Sequence, residues 1–282
     1  MQSLTSKQLL RKLKFDLKNQ VASLIDSGTD PHLAAVLVGD DESSLNYIDI
    51  KTRVGKEVGV IVSLYHIEES ASLDEIKETI AFLSQDDEIH GIILQLPLPE
   101  KFSQENVDEL IAKIPASKDV DGLRGDWKKL TYTSYSTESL LGNQPYALPP
   151  MVGSVTSLLN EYDISLDSKR VVLVGNGRLV GQPLSEFYGS LGINVQAVDE
   201  TTPNIFAITS EADILVTGTG VPNLVTYQWV KPGATVIDCS GDVHEDSVSQ
   251  VAEALSPAIG GVGPLTVFWL LHNTYQAARN LT

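Results

Sequence analysis

Four side chains in the first half of the chain are of the types needed for proton transfer and for binding a planar ring. Tyr47 and Lys51 are four residues apart, which places both on one face of a helix. Gln95 ends a predicted strand, and Asp121 lies in the segment Asp119-Val-Asp-Gly122. Open α/β sheets bind ligands beyond the carboxyl ends of their strands, so we expect these four side chains to converge on one crevice. Each residue alone also fits a structural role, as a packed ring, a solvated amine, a polar strand end or a capped turn.

A glycine turn in the second half has the composition of a phosphate site. The apolar run 171–174 predicts a buried parallel strand, Gly175 and Gly177 permit a tight turn, and a helix is predicted from Leu179. Unpaired N–H groups and the helix dipole at such a turn favour an anion. The spacing G-x-G-x-x-x-G to Gly181 is one residue longer than the common dinucleotide fingerprint. By spacing alone, an αβ turn that binds no ligand is equally compatible.

Composition limits the class of protein. The chain has 282 residues, enough for two domains, and a net charge of −17, which argues against a nucleic-acid partner. Cys239 is the only cysteine, which excludes an internal disulfide, and the spacing of the five histidines argues against a metal site. The sequence contains no apolar run long enough for a membrane span and no apolar signal core, so we expect no membrane contact and a cytoplasmic protein.

The order of the predicted elements indicates an α/β protein with two domains. Strands at 33–38, 60–66 and 91–96 alternate with helices at 45–58, 73–84 and 107–114, and serines 43 and 44 are expected to cap the first of these helices. Residues 125–150 have loop composition and mark the boundary. A second group of strands follows at 171–174, 195–198, 214–217 and 234–238, and residues 265–278 form a last amphipathic helix.

Four motifs identify a family. They are Ser44-x-x-Tyr47-x-x-x-Lys51, Gly91-Ile-Ile-Leu-Gln95-Leu-Pro-Leu-Pro99, Lys118-Asp-Val-Asp121-Gly122 and Pro257-x-x-Gly260-Gly-Val-Gly-Pro264-x-Thr266. Over almost its full length the chain resembles the bifunctional methylenetetrahydrofolate dehydrogenase/methenyltetrahydrofolate cyclohydrolases. The resemblance implies a catalytic folate-binding domain (1–147, completed by 265–282) and a Rossmann-like NAD(P)-binding domain (148–264). It also implies that the last helix returns to the first domain and that the protein is a homodimer formed through the cofactor domain.

The resemblance also assigns roles to residues on the folate side. Tyr47 would stack on the folate, Lys51 would handle the proton of the cyclohydrolase step, and Gln95 would orient and tune that amine. Asp121 would accept hydrogen bonds from the pterin. Further substrate contacts would come from the segment 260–266, through Gly261, Pro264 and Thr266.

On the cofactor side, the resemblance assigns the dinucleotide to the glycine turn and to the ends of the neighbouring strands, namely Gly175, Asn176, Gly177, Arg178, Gly181, Asp199, Thr217 and Gly218. Asp199 lies about 20 residues past the turn, where a carboxylate binds the ribose hydroxyls of NAD and repels the 2′-phosphate of NADP. We therefore predict NAD(P) with a preference for NAD, and no metal. An exposed acidic pair, Asp199-Glu200, is the alternative explanation.

Several segments depart from the family pattern and leave alternatives open. They are Gly175-Asn-Gly177 at the turn, Leu148-Pro-Pro-Met151 before the linking helix, and Val236-Ile-Asp-Cys-Ser-Gly-Asp242. The alternatives are a monofunctional NAD-dependent dehydrogenase, another two-domain dehydrogenase, and a binding-only relative. The retained lysine argues against the last, because a protein without turnover has little need of it.

Overall fold

The computed structural model describes residues 1–281 and divides them into two compact units. We call them the three-stranded unit (residues 12–127, 143–148 and 267–281) and the six-stranded unit (residues 1–11, 128–142 and 149–266). The strands are β1 (Gln2–Ser3), β2 (His32–Val38), β3 (Ile61–Ile67), β4 (Gly91–Leu94), β5 (Arg170–Val174), β6 (Asn194–Val198), β7 (Ile214–Thr217), β8 (Thr235–Asp238) and β9 (Ala254–Ser256). The helices are α1 (Lys7–Asp26), α2 (Glu42–Val58), α3 (Leu73–Gln85), α4 (Gln104–Lys113), α5 (Thr137–Leu140), α6 (Pro150–Glu161), α7 (Gly181–Ser190), α8 (Ile205–Thr209), α9 (Glu245–Val248) and α10 (Gly263–Leu281).

The three-stranded unit is built on a parallel sheet with the strand order β3-β2-β4. Its central strand, β2, is buried over 33–38, because both faces of a parallel sheet are covered. A single parallel bridge between Ile92 and Asp119 extends the sheet beyond β4. The carboxyl ends of β2, β4 and the segment at Asp119 therefore lie side by side, as the sequence predicts.

Helix α2 follows β2 and begins with a carboxylate cap. The Asp41 side chain accepts a hydrogen bond from the Ser44 backbone N–H at 2.7 Å, and Gly59, with φ +92°, ends the helix. The prediction that serines 43 and 44 cap this helix was wrong, because both lie in its first turn. A carboxylate at the N-cap also interacts favourably with the helix dipole.

The six-stranded unit contains one parallel sheet with the order β1-β9-β8-β7-β5-β6. β5 is buried between β6 and β7, as its apolar run predicts. The N-terminal strand β1 pairs with β9, with Gln2 opposite Ala254. Residues 1–11 and 128–142 thus belong to the six-stranded unit, whereas the boundaries drawn from the sequence place them with the folate-binding domain.

Helix α10 contributes most of its length to the three-stranded unit. Within that unit the Asn273 amide donates to the backbone oxygens of Val120 and Leu148, both at 2.9 Å. No helix among residues 1–281 combines the length and apolar composition needed to cross a membrane.

Candidate active site

The four side chains singled out in the first half of the sequence meet at the carboxyl edge of the three-stranded sheet. Helix α2 carries Tyr47 and Lys51 on one face, and the Lys51 Nζ lies 4.6 Å from the centroid of the Tyr47 ring. The same nitrogen donates to Gln95 Oε1 at 2.7 Å. Lys51 is 5% exposed, whereas Tyr47, Gln95 and Asp121 are partly exposed. The amine is therefore buried beneath three groups that a ligand can reach.

Burial makes Lys51 a weaker base than an ordinary lysine. It lowers the pKa of the Lys51 amine from 10.5 to about 8, and the opposing influence of the Asp121 charge is smaller. At pH 7 roughly a tenth of an amine with that pKa is uncharged, compared with about three to four ten-thousandths of a solvated lysine. A lysine in this state can both accept and return a proton close to physiological pH.

Gln95 is held so that its oxygen faces the lysine. Its Nε2 donates to the backbone oxygen of Leu96 at 2.9 Å, which fixes the amide with Oε1 toward Lys51 Nζ. Because the strand ends at Leu94, Gln95 lies at the carboxyl end of β4. An amide oxygen at this position orients the amine without adding a negative charge.

Asp121 lies within a turn, residues 118–124, that is held by two buried charged residues. Lys118 is 6% exposed, and its Nζ donates to the Ser84 and Asp86 backbone oxygens at 3.0 and 2.7 Å, at the end of α3. The Asp119 carboxylate accepts hydrogen bonds from the backbone N–H groups of residues 123 and 124. The sequence gives the Asp119-Val-Asp-Gly122 segment the alternative interpretation of a turn with capping carboxylates, which matches Asp119, and it gives Lys118 no separate role. Their side chains fix the segment that presents Asp121.

Burial and one charged neighbour act on the pKa of the Asp121 carboxyl in opposite directions. Burial raises its pKa, and the nearby Lys51 charge lowers it by a smaller amount. Burial also raises the pKa of Asp119, to about 6. The site therefore contains an amine whose pKa is lowered and carboxyls whose pKa values are raised, a combination typical of functional sites.

The glycine turn of the six-stranded unit follows β5 and is tightly closed. If Gly181 had a Cβ atom, it would lie 1.9 Å from the Gly175 oxygen, and a Cβ atom on Gly175 would lie 2.8 Å from the Gly218 oxygen. Neither position therefore has room for a side chain. Around Gly177, by contrast, there is open space, and α7 begins after Val180 with no side-chain cap. The N–H groups of residues 180 and 182 both donate to the Gly177 oxygen, and Pro183 has none, so the open space at Gly177, and not the first turn of α7, is where a dinucleotide phosphate fits.

Other residues assigned to the cofactor lie around this turn. Asn176 is exposed and Arg178 is partly buried. Asp199 follows β6, the strand next to β5, and its Oδ1 accepts from the Thr201 N–H and hydroxyl at 3.0 and 2.7 Å. These hydrogen bonds lower the pKa of Asp199, so the carboxyl is ionised at neutral pH. Thr217 is buried at the end of β7, where its hydroxyl lies 3.5 Å from Asp238 Oδ1.

The glycine-rich segment before α10 is also tightly packed. A Cβ on Gly261 would lie 2.3 Å from the Pro257 oxygen. Pro264 lies in the first turn of α10, and the Thr266 hydroxyl donates to the Gly263 oxygen at 2.6 Å. All of these residues belong to the six-stranded unit, and their assignment to the substrate stays a prediction. In residues 1–281, no three His, Cys, Asp or Glu side chains are grouped so that they could hold a metal ion.

Comparison with known proteins finds one family over both units. Residues 4–121 match the model of the tetrahydrofolate dehydrogenase/cyclohydrolase catalytic domain, and residues 149–282 match the NAD(P)-binding domain of the same family. The bifunctional protein FolD of Geobacillus thermodenitrificans is 35% identical, covering 99% of this chain and 98% of that protein. The FolD of Exiguobacterium sibiricum is 33% identical, with 97% and 98% covered.

Solved structures give the same result. The bifunctional FolD of Campylobacter jejuni superimposes with a TM-score of 0.88 at 32% identity and covers 99% of both chains. The FolD of Trypanosoma brucei, solved in complex with NADP and an inhibitor, gives a TM-score of 0.85 at 26% identity, with 99% of this chain and 97% of that chain covered.

Proposed function

The chain belongs to the tetrahydrofolate dehydrogenase/cyclohydrolase family, and from that premise we propose which of its side chains carry each of the family's two reactions. The protein oxidises 5,10-methylenetetrahydrofolate to 5,10-methenyltetrahydrofolate with NAD(P) and hydrolyses the product to 10-formyltetrahydrofolate, in folate one-carbon metabolism. The full-length similarity to bifunctional relatives favours both activities over the monofunctional and binding-only alternatives.

The buried Lys51 amine, 2.7 Å from Gln95 Oε1, is the observation that supports our assignment of the hydrolytic step. Water adds to the electron-poor methenyl carbon, and the uncharged amine of Lys51 takes the proton that the water loses. The resulting ammonium then gives a proton to the ring nitrogen as its bond to that carbon breaks, and the hydroxyl on the carbon releases its remaining proton to solvent as the formyl C=O forms. One lysine thus serves as base and then as acid, which its pKa of about 8 allows.

Asp121 and Tyr47 hold the folate in this proposal. An ionised Asp121 accepts hydrogen bonds from the amino and ring N–H groups of the pterin, and the partly exposed Tyr47 ring stacks on its plane. The Lys51 charge favours the ionised form of Asp121, although burial is the larger and opposing influence on this carboxyl. Hydride acceptance in the first reaction is the chemistry that the nicotinamide group supplies when bound.

We further propose a preference for NAD over NADP, which depends on Asp199. Within residues 1–281, the hydrogen bonds that Thr201 and Thr202 donate to the Asp199 carboxylate all go to its Oδ1 atom. The Asp199 Oδ2 atom can therefore accept a hydrogen bond from a ribose hydroxyl. The ionised carboxyl would also repel a 2′-phosphate. Gly175, Asn176, Gly177, Arg178, Gly181, Thr217 and Gly218 would form the rest of the cofactor site.

Kinetics with each cofactor test this preference. We expect a higher kcat/KM for NAD than for NADP, and Asp199→Ser should shift the ratio toward NADP by about tenfold, since the repulsion between this carboxylate and the 2′-phosphate is removed. The neighbouring exposed Glu200→Gln is the matched control and should leave the ratio unchanged. A wild-type preference for NADP would refute the proposal.

A homodimer formed through the six-stranded unit is a further part of the proposal. β6 ends the order of the sheet, and an edge strand presents backbone groups that a second copy can pair with. Light scattering should give twice the chain mass, and a monomer at assay concentration would contradict this state. Cytoplasmic location also stays a prediction, as does the lack of nucleic-acid partners, which the net charge of −17 supports.

Two assays test the function as a whole. Methylenetetrahydrofolate with NAD or NADP reports the dehydrogenase through the absorbance of the reduced nicotinamide. Methenyltetrahydrofolate without cofactor reports the cyclohydrolase through loss of the methenyl absorbance. The monofunctional alternative predicts activity in the first assay alone, and the binding-only alternative predicts activity in neither.

A further inference from the structure

The loop after β7, residues 218–221, packs directly against the glycine turn. If Gly218 had a Cβ atom, that atom would lie 2.4 Å from Val180 Cγ1. A Cβ atom on Gly175 would lie 2.8 Å from the Gly218 oxygen, so the two loops are in direct contact. The two loops follow the neighbouring strands β5 and β7, which share the carboxyl edge of the sheet. A displacement of the loop 218–221 would therefore displace the turn that we assign to the cofactor phosphates.

A buried carboxylate holds this loop in place. Asp242 is 0% exposed, and its Oδ2 accepts from the Thr219 backbone N–H at 2.7 Å. Its Oδ1 accepts from the Gly220 backbone N–H at 2.8 Å and from the Ser240 hydroxyl at 2.7 Å. Each carboxylate oxygen thus binds one backbone N–H of the loop, and all three donors are uncharged.

An asparagine cannot reproduce this arrangement, although it has nearly the same shape. Its side chain has only one oxygen that can accept a hydrogen bond. Its NH₂ group would face one of the two backbone N–H groups, and because both groups are donors, no hydrogen bond could form there. A carboxylate accepts at both positions, and hydrogen bonds to an ionised acceptor are the stronger kind.

We propose that Asp242 is a positioning residue for the dehydrogenase reaction, which it supports by fixing residues 219 and 220 and, through them, the cofactor turn. The proposal rests on the proposed function, because it assumes that the dinucleotide binds at this edge. Hydrolysis of the methenyl group involves no change of oxidation state and no dinucleotide. A loosened loop should therefore impair the dehydrogenase and spare the cyclohydrolase.

The test is to measure both activities and cofactor affinity in Asp242→Asn. Loss of a charge-assisted hydrogen bond weakens binding by about tenfold to a hundredfold, so the KM and Kd for the preferred cofactor should rise by that factor. The cyclohydrolase kcat/KM should stay within about twofold of wild type. Ser240→Ala keeps the carboxylate and removes only the hydroxyl, so it should give a smaller rise in the same direction.

Asp213→Asn is the matched control. Its carboxylate also accepts a backbone N–H, from Arg170 at 2.8 Å, but it lies at the amino end of the same sheet. This variant should keep the wild-type cofactor KM. The proposal is overturned if Asp242→Asn leaves cofactor KM and Kd unchanged, if both activities fall in parallel, or if Asp213→Asn gives the same selective loss. Absence of both activities in the wild-type protein would instead overturn the proposed function.

Discussion

The hydrogen bond between Lys51 Nζ and Gln95 Oε1 leads to the most quantitative prediction. Gln95→Glu places a carboxylate where the amide oxygen now lies 2.7 Å from the amine. An opposite charge at this range favours the charged form of a neighbour and shifts its pKa by roughly one to three units. The Lys51 pKa, about 8 in the wild-type protein, should therefore rise toward that of a solvated lysine.

The size of the effect on hydrolysis follows from the uncharged fraction of the amine. At pH 7, each unit of increase in the Lys51 pKa lowers that fraction about tenfold, so cyclohydrolase activity should fall by roughly tenfold to a thousandfold. The loss should shrink as the pH rises, because the amine regains its uncharged form above its new pKa. In the wild-type protein the rate should rise with pH and level off above pH 8.

The assay is the initial rate of methenyl hydrolysis between pH 6.5 and 9.5, with the uncatalysed rate subtracted at each pH. Gln95→Met is the control, because it removes the hydrogen bond without adding a charge and should not move the inflection upward. An unchanged pH profile in Gln95→Glu would refute the assignment of the inflection to Lys51. An equal loss of hydrolysis activity in Gln95→Glu and Gln95→Met at every pH would also refute this assignment.

Three further predictions concern binding, stability and pH. Asp121→Ala should raise the folate KM in both reactions by at least tenfold, since a charge-assisted pairing is lost, and an unchanged KM would show that the carboxylate is structural. Lys118→Met removes the donor that the Lys118 amine provides to the backbone oxygens at the end of α3. Denaturant titration should show a free energy of unfolding lower by about 1–3 kcal/mol, and an unchanged value would contradict the capping role of Lys118. Protonation of Asp119, whose pKa of about 6 lies above its ordinary value, should raise the folate KM of wild type as pH falls below 6, and a flat KM would contradict this.

Much of the site could be predicted from sequence because it depends on local rules. A spacing of four puts Tyr47 and Lys51 on one face of α2, and the end of an apolar run puts Gln95 at the carboxyl edge of a sheet. Parallel strands bring these positions together without any knowledge of long-range packing. The structure then adds the 2.7 Å contact between Lys51 and Gln95, which no spacing rule gives.

The supporting residues could not be predicted, because their partners are distant in sequence. Asn273 binds the Val120 oxygen across 153 positions, and Lys118 caps a helix that ends more than thirty residues before it. β1 has only two residues, too few for any periodicity, and its place beside β9 depends on the tertiary fold. The membership of residues 1–11 in the six-stranded unit follows from that pairing.

Lys51→Met is the direct test of whether Lys51 transfers the proton of methenyl hydrolysis. The methionine keeps the length of the side chain and its apolar burial but removes the amine. We predict loss of cyclohydrolase activity by at least a hundredfold with the folate Kd within a few-fold of wild type, because general acid–base catalysis typically contributes 10²–10⁴-fold. Methenyl hydrolysis at the wild-type rate by this variant, with folate bound as tightly, would exclude Lys51 as the group that transfers the proton.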